Sequence, residues 1–350
     1  MNVFSSKSLS DNRKSAIQKR PRRRKWAGLF AIVVTLTVCG ARVEAQQPTK
    51  VPRIGYLGGV SPSANSARIE AFRRGLRELG YIEGKNIVIE WRHAEAAKLD
   101  RLPALAAELV RLKVDIVVTG GPPATRSAKE ATGTIPIVMG FDDDPVGNGF
   151  VASLARPGGN ITGLSALSPE IGGKQLELLK EIVPKLSRVT VLGTSTRPGN
   201  TQTLKEIELA ADAFGVKIQY RDVLGPRDIE TAFRAASERR ADAVLLLSSP
   251  VFTSQRTQIA NVAIKSRLPA IYPQQEFVQD GALMTYSVSV ADMYHRAATY
   301  VDKILKGAKP ADLPVEQPKK FEFIINLKAA KQIGLTIPPN VLVRADKVIK

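Results

Sequence analysis

The chain has 350 residues and carries 51 Lys or Arg against 33 Asp or Glu, a formal net charge of +18. Ten of the basic and two of the acidic residues lie in 1–45, so the remaining residues carry a net charge of +10. Their sequence has no arginine-rich or aromatic-interleaved basic patch, and this argues against a nucleic-acid partner. The single cysteine, Cys39, also lies in that segment, so residues 46–350 can form neither a disulfide nor a thiol nucleophile.

Residues 1–45 show the order of features that defines a secretory signal peptide. Basic residues crowd 13–25, an apolar run follows at 26–38, and small residues precede a cleavage site after Ala45. The apolar run is shorter than the roughly 20 residues that a membrane-spanning helix needs. We therefore expect export to the periplasm with cleavage after Ala45. An uncleaved membrane anchor and lipidation at Cys39 are the two alternatives.

The first block after this segment alternates predicted strands and helices. Apolar runs predict strands at 51–57, 87–91, 114–119 and 135–140. Apolar stripes at helical spacing predict helices at 65–79 and 99–112, and a further helix is predicted at 122–131. The run at 114–119 is continuous, as in a parallel strand that is covered on both faces. This alternation indicates βαβ units.

The same alternation then restarts. It predicts helices at 174–182, 201–214, 228–240 and 255–266, and strands at 189–193, 216–220, 243–247 and 270–272. Two similar blocks indicate two doubly wound lobes. The Gly- and Pro-rich stretch 156–163 indicates the border between them.

The last part of the chain adds elements that the two blocks do not need. It predicts a strand at 282–286, a helix at 291–306, a Pro-rich linker at 310–318, a strand at 321–325 and a short helix ending at 333. Such a tail indicates that the chain recrosses between the lobes and forms a hinge. We therefore predict an α/β fold of two doubly wound parallel-sheet lobes joined by a multi-crossover hinge. One lobe comprises 46–163 plus about 287–314, and the other 164–286 plus about 315–350.

The residues expected of a catalytic centre are missing from the sequence. His93 and His295, the only histidines, have no neighbouring metal ligand at a suitable spacing. Neither a G-x-S-x-G elbow nor a G-x-G-x-x-G dinucleotide motif is present. We predict hydrogen-bonded or surface histidines, no metal, no cofactor and no enzymatic activity.

Glycine-rich loops follow two predicted strands of the first lobe, at 58–63 and 120–125. Free backbone N–H groups at a helix N-terminus favour an anion, although one such loop can also be a simple helix cap. Open α/β sheets bind ligands at the carboxyl ends of their strands, which favours a ligand site here. The candidate residues in these loops are Gly59, Ser61, Gly120, Gly121, Pro122 and Thr125.

Three consecutive carboxylates follow the strand at 135–140. We expect Asp144 to cap a helix that starts near Pro145, and Asp142 or Asp143 to face a cationic group of the ligand. The corresponding loops of the second lobe offer hydroxyls, amides, a carboxylate and an aromatic wall, and their candidates are Thr194, Ser248, Tyr272, Glu276 and Tyr286. This set suits a small polar or zwitterionic ligand whose carboxylate lies on 121–125.

Nine stretches together carry a resemblance to a known family. They are 53–57 (RIGYL), 72–81 (FRRGLRELGY), 135–138 (IPIV), 144–147 (DPVG), 154–163 (LARPGGNITG), 281–284 (GALM), 300–308 (YVDKILKGA), 313–318 (LPVEQP) and 334–339 (GLTIPP). With these stretches, residues 51–350 resemble the ABC-transporter substrate-binding proteins of proteobacteria, which include tryptophan-type binding proteins. Pro122 stands where that family commonly has Thr or Ser before a proline, so a hydroxyl contact is absent there.

The resemblance implies a type I periplasmic-binding fold with three crossovers and a ligand held between the lobes. It also implies delivery of a carboxylate- or amino-acid-like solute to an inner-membrane permease driven by a cytoplasmic ATPase, with the binding protein acting as a monomer. Two alternatives remain. One is a periplasmic ligand sensor that docks on a membrane receptor, and the other is a periplasmic enzyme of doubly wound fold, which the missing nucleophile and base disfavour.

Overall fold

The computed structural model describes residues 51–94, 98–197, 199–318 and 320–350. The signal segment predicted at 1–45, with its cleavage site and Cys39, lies outside these ranges. Within the described ranges, no helix combines the length and the apolar composition needed to cross a bilayer.

Twelve strands and twelve α-helices are defined in the described ranges. The strands are β1 Arg53–Gly58, β2 Val88–His93, β3 Ile116–Gly120, β4 Ile137–Asp142, β5 Ile161–Ser165, β6 Arg188–Gly193, β7 Lys217–Asp222, β8 Ala243–Leu246, β9 Ala270–Tyr272, β10 Met284–Ser287, β11 Glu322–Asn326 and β12 Lys347–Ile349. The helices are α1 Ser66–Glu78, α2 Leu102–Arg111, α3 Pro122–Ala131, α4 Ser168–Ile182, α5 Asn200–Phe214, α6 Asp228–Glu238, α7 Pro250–Ser254, α8 Arg256–Lys265, α9 Gln275–Gln279, α10 Val290–Leu305, α11 Leu327–Ile333 and α12 Pro339–Leu342. Single 3-10 turns precede α2 and follow α10.

The strands form two separate sheets, as the alternation predicts. The first has the order β2-β1-β3-β4-β5 and is parallel throughout. The second has the order β12-β11-β10-β9-β8-β6-β7. Its neighbouring strands are parallel except for β10 and β11, which run antiparallel to each other. The prediction of two doubly wound α/β lobes is therefore confirmed.

Each sheet has an apolar core on both faces because successive side chains of a strand point to opposite sides. In β1, Tyr56 packs in a cluster with Phe72 of α1, while Leu57 packs on the opposite face with Leu109 of α2. All four side chains are fully buried. Burial of a large apolar side chain contributes about 1.5–3 kcal/mol relative to exposure, so these layers supply much of the fold's stability.

The chain passes between the sheets three times. It leaves the first sheet after β5, returns after β10 so that α10 packs against α1, and leaves again before β11. Before the third passage Glu316 forms a bridge with Leu164. The first sheet therefore extends to Ser165 and takes in Glu316, beyond the borders expected at 163 and 314.

Several element predictions were wrong. The chain from Asp144 to Gly149 forms successive turns, with Asn148 N–H donating to the carbonyl of Asp144, and the helix expected at Pro145 does not form. Helix α4 begins six residues earlier than the predicted 174. The sequence patterns also missed β5, β12, α7, α9 and α12.

Candidate functional site

Each sheet has a switch point, where the strand order reverses, and the two switch points face the same cleft between the lobes. In the first sheet the strand order reverses between β1 and β3, and in the second between β6 and β8. Open α/β sheets bind ligands at such points, beyond the carboxyl ends of the strands. The loops that follow these four strands contribute to one small cavity, which is lined by Val60, Arg68, Gly120, Gly121, Pro122, Pro123, Phe141, Arg197, Ser249, Pro250, Thr253 and Gln274.

The cleft between the lobes is closed in this structure. The cavity has a volume of about 10 Å³, which is about what one water molecule requires. A second cavity of about 30 Å³ lies next to it and is lined by Asp143, Ser248 and neighbouring side chains. A groove of about 760 Å³, open to solvent, separates the 144–148 turn from the first turns of α4 and α5.

Arg68 of α1 joins the first lobe to the second. Its Nε donates to Glu276 Oε1 at 2.9 Å, and its Nη2 donates to Gln274 Oε1 at 2.6 Å. The guanidinium also lies 5.6 Å from the ring centre of Phe141. Arg68 is only 4% exposed, so its charge depends on these partners. Burial disfavours the ionised form of Glu276, but the attraction of Arg68 holds the pKa of that carboxyl below its usual value.

Arg197 also joins the lobes, but it belongs to the second lobe and contacts the first. It follows β6 of the second lobe, and its Nη2 donates to Asp143, which follows β4 of the first. Both residues are buried, and Arg197 Nε has no hydrogen-bond partner in the described part of the chain. Burial lowers the pKa of Arg197 to about 9, against the opposing attraction of Asp142. Each lobe thus contributes one arginine and one carboxylate to the closed cleft.

Beneath Arg68 lies a buried cluster of polar and aromatic side chains. Asn65 Nδ2 donates to Tyr56 Oη at 2.7 Å, and Tyr56 donates to Tyr294 Oη at 3.2 Å. Asn65 Oδ1 has no partner within the described residues. Burial raises the pKa of both tyrosines, so they remain neutral donors and acceptors at physiological pH.

The glycine-rich loop after β3 lines the cavity, but it offers few donors to an anion. Gly121 has φ +114°, a conformation that favours glycine, and α3 begins at the next residue. Pro122 and Pro123 have no N–H, and the N–H of Thr125 donates to Gly121 O at 3.0 Å. The Thr125 hydroxyl is fully buried, 2.7 Å from Thr119 Oγ1 and 3.2 Å from Gly121 O. Gly120, Gly121 and Pro122 therefore reach the cavity, whereas Thr125 serves the turn itself.

The loop after β1 is only partly in the site. Gly59 is buried, and a Cβ placed there would lie 3.6 Å from Pro250 of the opposite lobe. Ser61 is not in the cavity lining, and its hydroxyl pairs with Ser63 at 3.1 Å. The backbone of Gly59 therefore belongs to the interface between the lobes, while Ser61 belongs to its own turn.

The aspartates after β4 have separate environments. Asp142 is fully buried, and its Oδ1 accepts from Asn148 Nδ2 at 2.7 Å and from Asp144 N–H at 3.0 Å. Its Oδ2 has no hydrogen-bond partner in the ranges that the structure describes, and burial raises the pKa of Asp142 to about 7. Asp143 faces Arg197. Asp144 Oδ1 accepts from Gly147 N–H at 2.8 Å, so it caps a turn rather than a helix.

The candidates of the second lobe divide between the cleft and the core. Glu276 reaches the interface through Arg68, and Ser248 accepts from Gln274 Nε2 at 3.4 Å. Thr194 is buried, with its hydroxyl 2.8 Å from Ser249 Oγ. Tyr272 lies in the core, stacked on Phe277 with 5.2 Å between ring centres.

Tyr286 lies at the end of β10, beside the second passage between the sheets. Its ring stacks on Phe321 at 5.7 Å between centres, and its carbonyl accepts from Gln175 Nε2 at 2.9 Å. Tyr272 and Tyr286 therefore do not line the cleft cavity in this closed structure.

The sequence patterns missed both cleft arginines. Arg68 falls on the core-facing stripe of α1, one turn before Phe72, and a basic residue on an apolar stripe is a usable signal. Arg197 directly follows the candidate Thr194 and two further hydroxyl residues, Ser195 and Thr196, in the loop after β6. Both histidines are hydrogen bonded as predicted, His93 to Val60 O and His295 to Glu78. In the part of the chain that the structure describes, no three His, Cys, Asp or Glu side chains are grouped as a metal site would require.

Two doubly wound lobes, three passages of the chain and a cleft at facing switch points define a two-lobed protein of the type I periplasmic-binding class. Residues 54–349 match the profile of the family described as ABC transporter substrate binding protein, and the chain belongs to this family.

Individual relatives agree with this assignment. The tyrosine-binding protein of Clostridioides difficile is 26% identical over 275 residues, which cover 78% of each chain. The crystal structure of a conserved domain protein from Vibrio cholerae is 29% identical with a TM-score of 0.81, covering 85% of this chain and 100% of that one. The structure of an ABC domain in complex with L-Trp, from Streptococcus pneumonia, is 27% identical with a TM-score of 0.80, covering 85% and 99%.

Proposed function

We propose that this protein is the periplasmic substrate-binding component of an ABC importer and that it captures an amino acid, with aromatic amino acids as the first candidates. The observation that carries the proposal is the pair of buried arginines, Arg68 and Arg197, at the facing switch points. Each is paired with a carboxylate from the opposite lobe, the buried Asp143 for Arg197 and the partly buried Glu276 for Arg68.

The charge pattern favours a zwitterion over a neutral solute. A buried charge is tolerated when it is paired and hydrogen bonded, and a sugar would offer no charge to Arg197 or Asp143 on entering the cleft. An amino acid offers both signs within a few ångströms. Phe141, Pro122 and Pro123 supply an apolar wall beside the charged groups, which suits an aromatic side chain.

The relatives support the same ligand class. One relative is named a tyrosine-binding protein, and another was solved in complex with L-Trp. Closure of the lobes around the ligand agrees with the three passages of the chain between the sheets, which form a hinge.

The importer role and the periplasmic location rest on the family and on the N-terminal sequence. The family is described as ABC transporter substrate binding protein, which supports a role in which this chain delivers its ligand to an inner-membrane permease driven by a cytoplasmic ATPase. The predicted signal at 1–45 accounts for export, and mass spectrometry of the periplasmic fraction is expected to show a chain that begins at Gln46. A diacylated species that begins at Cys39 would contradict cleavage after Ala45.

A thermal-shift screen tests the ligand class, since a ligand that binds only the native state raises the melting temperature. We expect stabilisation by one or more of L-tryptophan, L-tyrosine and L-phenylalanine, and none by sugars or nucleobases. Stabilisation by a sugar or nucleobase alone would overturn the proposal. Uptake of the same amino acid in cells with and without the gene separates transport from sensing, because a sensor leaves uptake unchanged.

A further inference from the structure

The Arg197–Asp143 ion pair occupies a central position in the closed cleft. Arg197 lines one small cavity and Asp143 lines the other, so the pair stands between cavities of about 10 and 30 Å³. Both cavities are too small for an amino acid, so a ligand that enters has to displace contacts already made there. The pair is the charged contact between the linings of the two cavities, beside the neutral hydrogen bond from Gln274 to Ser248.

The arginine of this pair has unused bonding capacity, and so has a carboxylate next to the pair. Among the residues that the structure describes, the buried Arg197 Nε has no hydrogen-bond partner, and neither has Oδ2 of Asp142, which precedes Asp143 in the chain. Arg197 is 5% exposed, so solvent does not supply the missing partner. A buried donor on a guanidinium is costly to leave unsatisfied, and a planar carboxylate that binds the guanidinium with both oxygens would satisfy it.

Resting on the proposed function, we propose that the amino-acid ligand inserts itself into the Arg197–Asp143 pair. The ligand carboxylate binds the guanidinium of Arg197, and the ligand ammonium binds the carboxylate of Asp143. One ion pair between the lobes is thereby replaced by two ion pairs to the ligand, and no bond is made or broken covalently. Separation of the two partners joins the cavities and makes room for the ligand side chain.

Charge balance explains why such an exchange is selective. A zwitterion leaves every buried charge paired, because it brings one charge of each sign. An amine without the carboxylate leaves Arg197 unpaired, and an acid without the ammonium leaves Asp143 unpaired. Loss of one partner of a buried charge pair costs affinity on the order of 100-fold. The site is therefore selective for the α-amino-acid head group as a whole.

The test compares three probes on wild type and two variants by calorimetry. The probes are L-tryptophan, tryptamine, which lacks the carboxylate, and 3-indolepropionate, which lacks the ammonium. Wild type is expected to bind L-tryptophan on the order of 100-fold more tightly than either analogue. Arg197→Met should remove the preference for L-tryptophan over tryptamine, and Asp143→Asn the preference over 3-indolepropionate.

Arg256→Met is the matched control. Arg256 also crosses between the lobes, since its Nη1 donates to Ala64 O at 3.0 Å, but it lines neither cavity. This variant should change the affinity for all three probes by a common factor and leave the preferences intact. Circular dichroism and thermal unfolding confirm that each variant is folded.

The outcomes separate this assignment from the proposed function. Binding of L-tryptophan with wild-type preferences in folded Arg197→Met and Asp143→Asn overturns the exchange and leaves amino-acid binding in place. Failure of wild type to bind any of the common amino acids overturns both. Loss of the two preferences in the two variants, each for its own analogue, supports the exchange.

Discussion

Arg68 and Glu276 lie 208 residues apart in the sequence and form an ion pair across the cleft, with 2.9 Å between Nε and Oε1. Their side chains are 4% and 15% exposed. The attraction between them therefore acts in a poorly solvated environment and favours the closed arrangement of the lobes.

Glu276→Gln should shift the protein towards an open form. The amide keeps the shape of the side chain but leaves the charge of Arg68 without a carboxylate, and an uncompensated buried charge is strongly unfavourable. Small-angle scattering of the ligand-free variant should give a larger radius of gyration than wild type. Apparent affinity for L-tryptophan should fall about 10-fold as the closed population falls.

Glu70→Gln serves as the control for this experiment, because Glu70 lies on the same helix as Arg68 and pairs with Arg77 at the exposed surface. It should leave both the scattering profile and the affinity unchanged. Equal profiles for Glu276→Gln and wild type would show that the ion pair does not hold the lobes together.

Stability should depend on pH through Asp142. Burial raises the pKa of this carboxyl from 3.8 to about 7, so between about pH 4 and pH 7 the folded chain holds a proton that the unfolded chain has released. The free energy of unfolding therefore falls as pH rises through this window, by up to about 1.4 kcal/mol per pH unit. Asp142→Asn has no proton to lose, and this contribution should vanish.

Urea denaturation of ligand-free protein at several pH values measures the effect as the difference between wild type and Asp142→Asn. Asp212→Asn, at an exposed position of α5, should keep the wild-type slope. A difference between wild type and Asp142→Asn that stays constant from pH 4 to pH 7 would contradict the raised pKa.

Thr125→Val separates a structural role from a ligand-binding role. The sequence favours a hydroxyl that binds the ligand carboxylate, whereas the structure has this hydroxyl bonded to Thr119 and Gly121 O. Its removal leaves the Thr119 hydroxyl buried with one partner fewer, so unfolding should become easier by about 1–3 kcal/mol. Affinity for L-tryptophan should remain within about two-fold of wild type, because the lost bond does not reach the cavity.

Calorimetric titration and urea denaturation of this variant measure the two effects. Thr231→Val, which changes an exposed threonine on α6, should alter stability by no more than about 0.5 kcal/mol. A large loss of affinity in Thr125→Val without a loss of stability would restore the carboxylate site on 120–125.

The local sequence was sufficient to predict the bounds of some elements. Helix α3 has the predicted bounds, and so does β9. The edge strand β5 was missed because Thr162 and Gly163 interrupt its apolar run. The Thr162 hydroxyl has its hydrogen-bond partner in a distant segment of the chain, since Oγ1 donates to Leu313 O at 2.6 Å.

The start of α4 shows how tertiary packing overrides a local signal. The glycine pair 172–173 disfavours a helix, and the prediction therefore began at 174. In the structure a Cβ at Gly172 would lie 2.8 Å from Cγ1 of Ile207 on α5. Glycine lets the two helices approach closely. This contact depends on α5, so the local sequence of α4 does not indicate it.

The sequence indicated where the candidate site lies, but it did not indicate which residues form ion pairs there. Strand-to-helix loops identified Gly121 and Asp143, because the carboxyl ends of parallel strands share one edge of a sheet. Arg68 and Arg197 acquire their roles from carboxylates on the opposite lobe, and no spacing in the sequence records which lobe surfaces meet.

Calorimetric titration of the exported wild-type protein with L-tryptophan and with L-tyrosine tests the central claim most directly. The account predicts saturable binding of one amino acid per chain by at least one of them, with the two competing for a single site when both bind. Arg197→Met should weaken that binding on the order of 100-fold while the protein stays folded. Equal affinity in wild type and Arg197→Met would contradict the role of Arg197 in binding, and no binding of either amino acid would contradict the amino-acid-binding function itself.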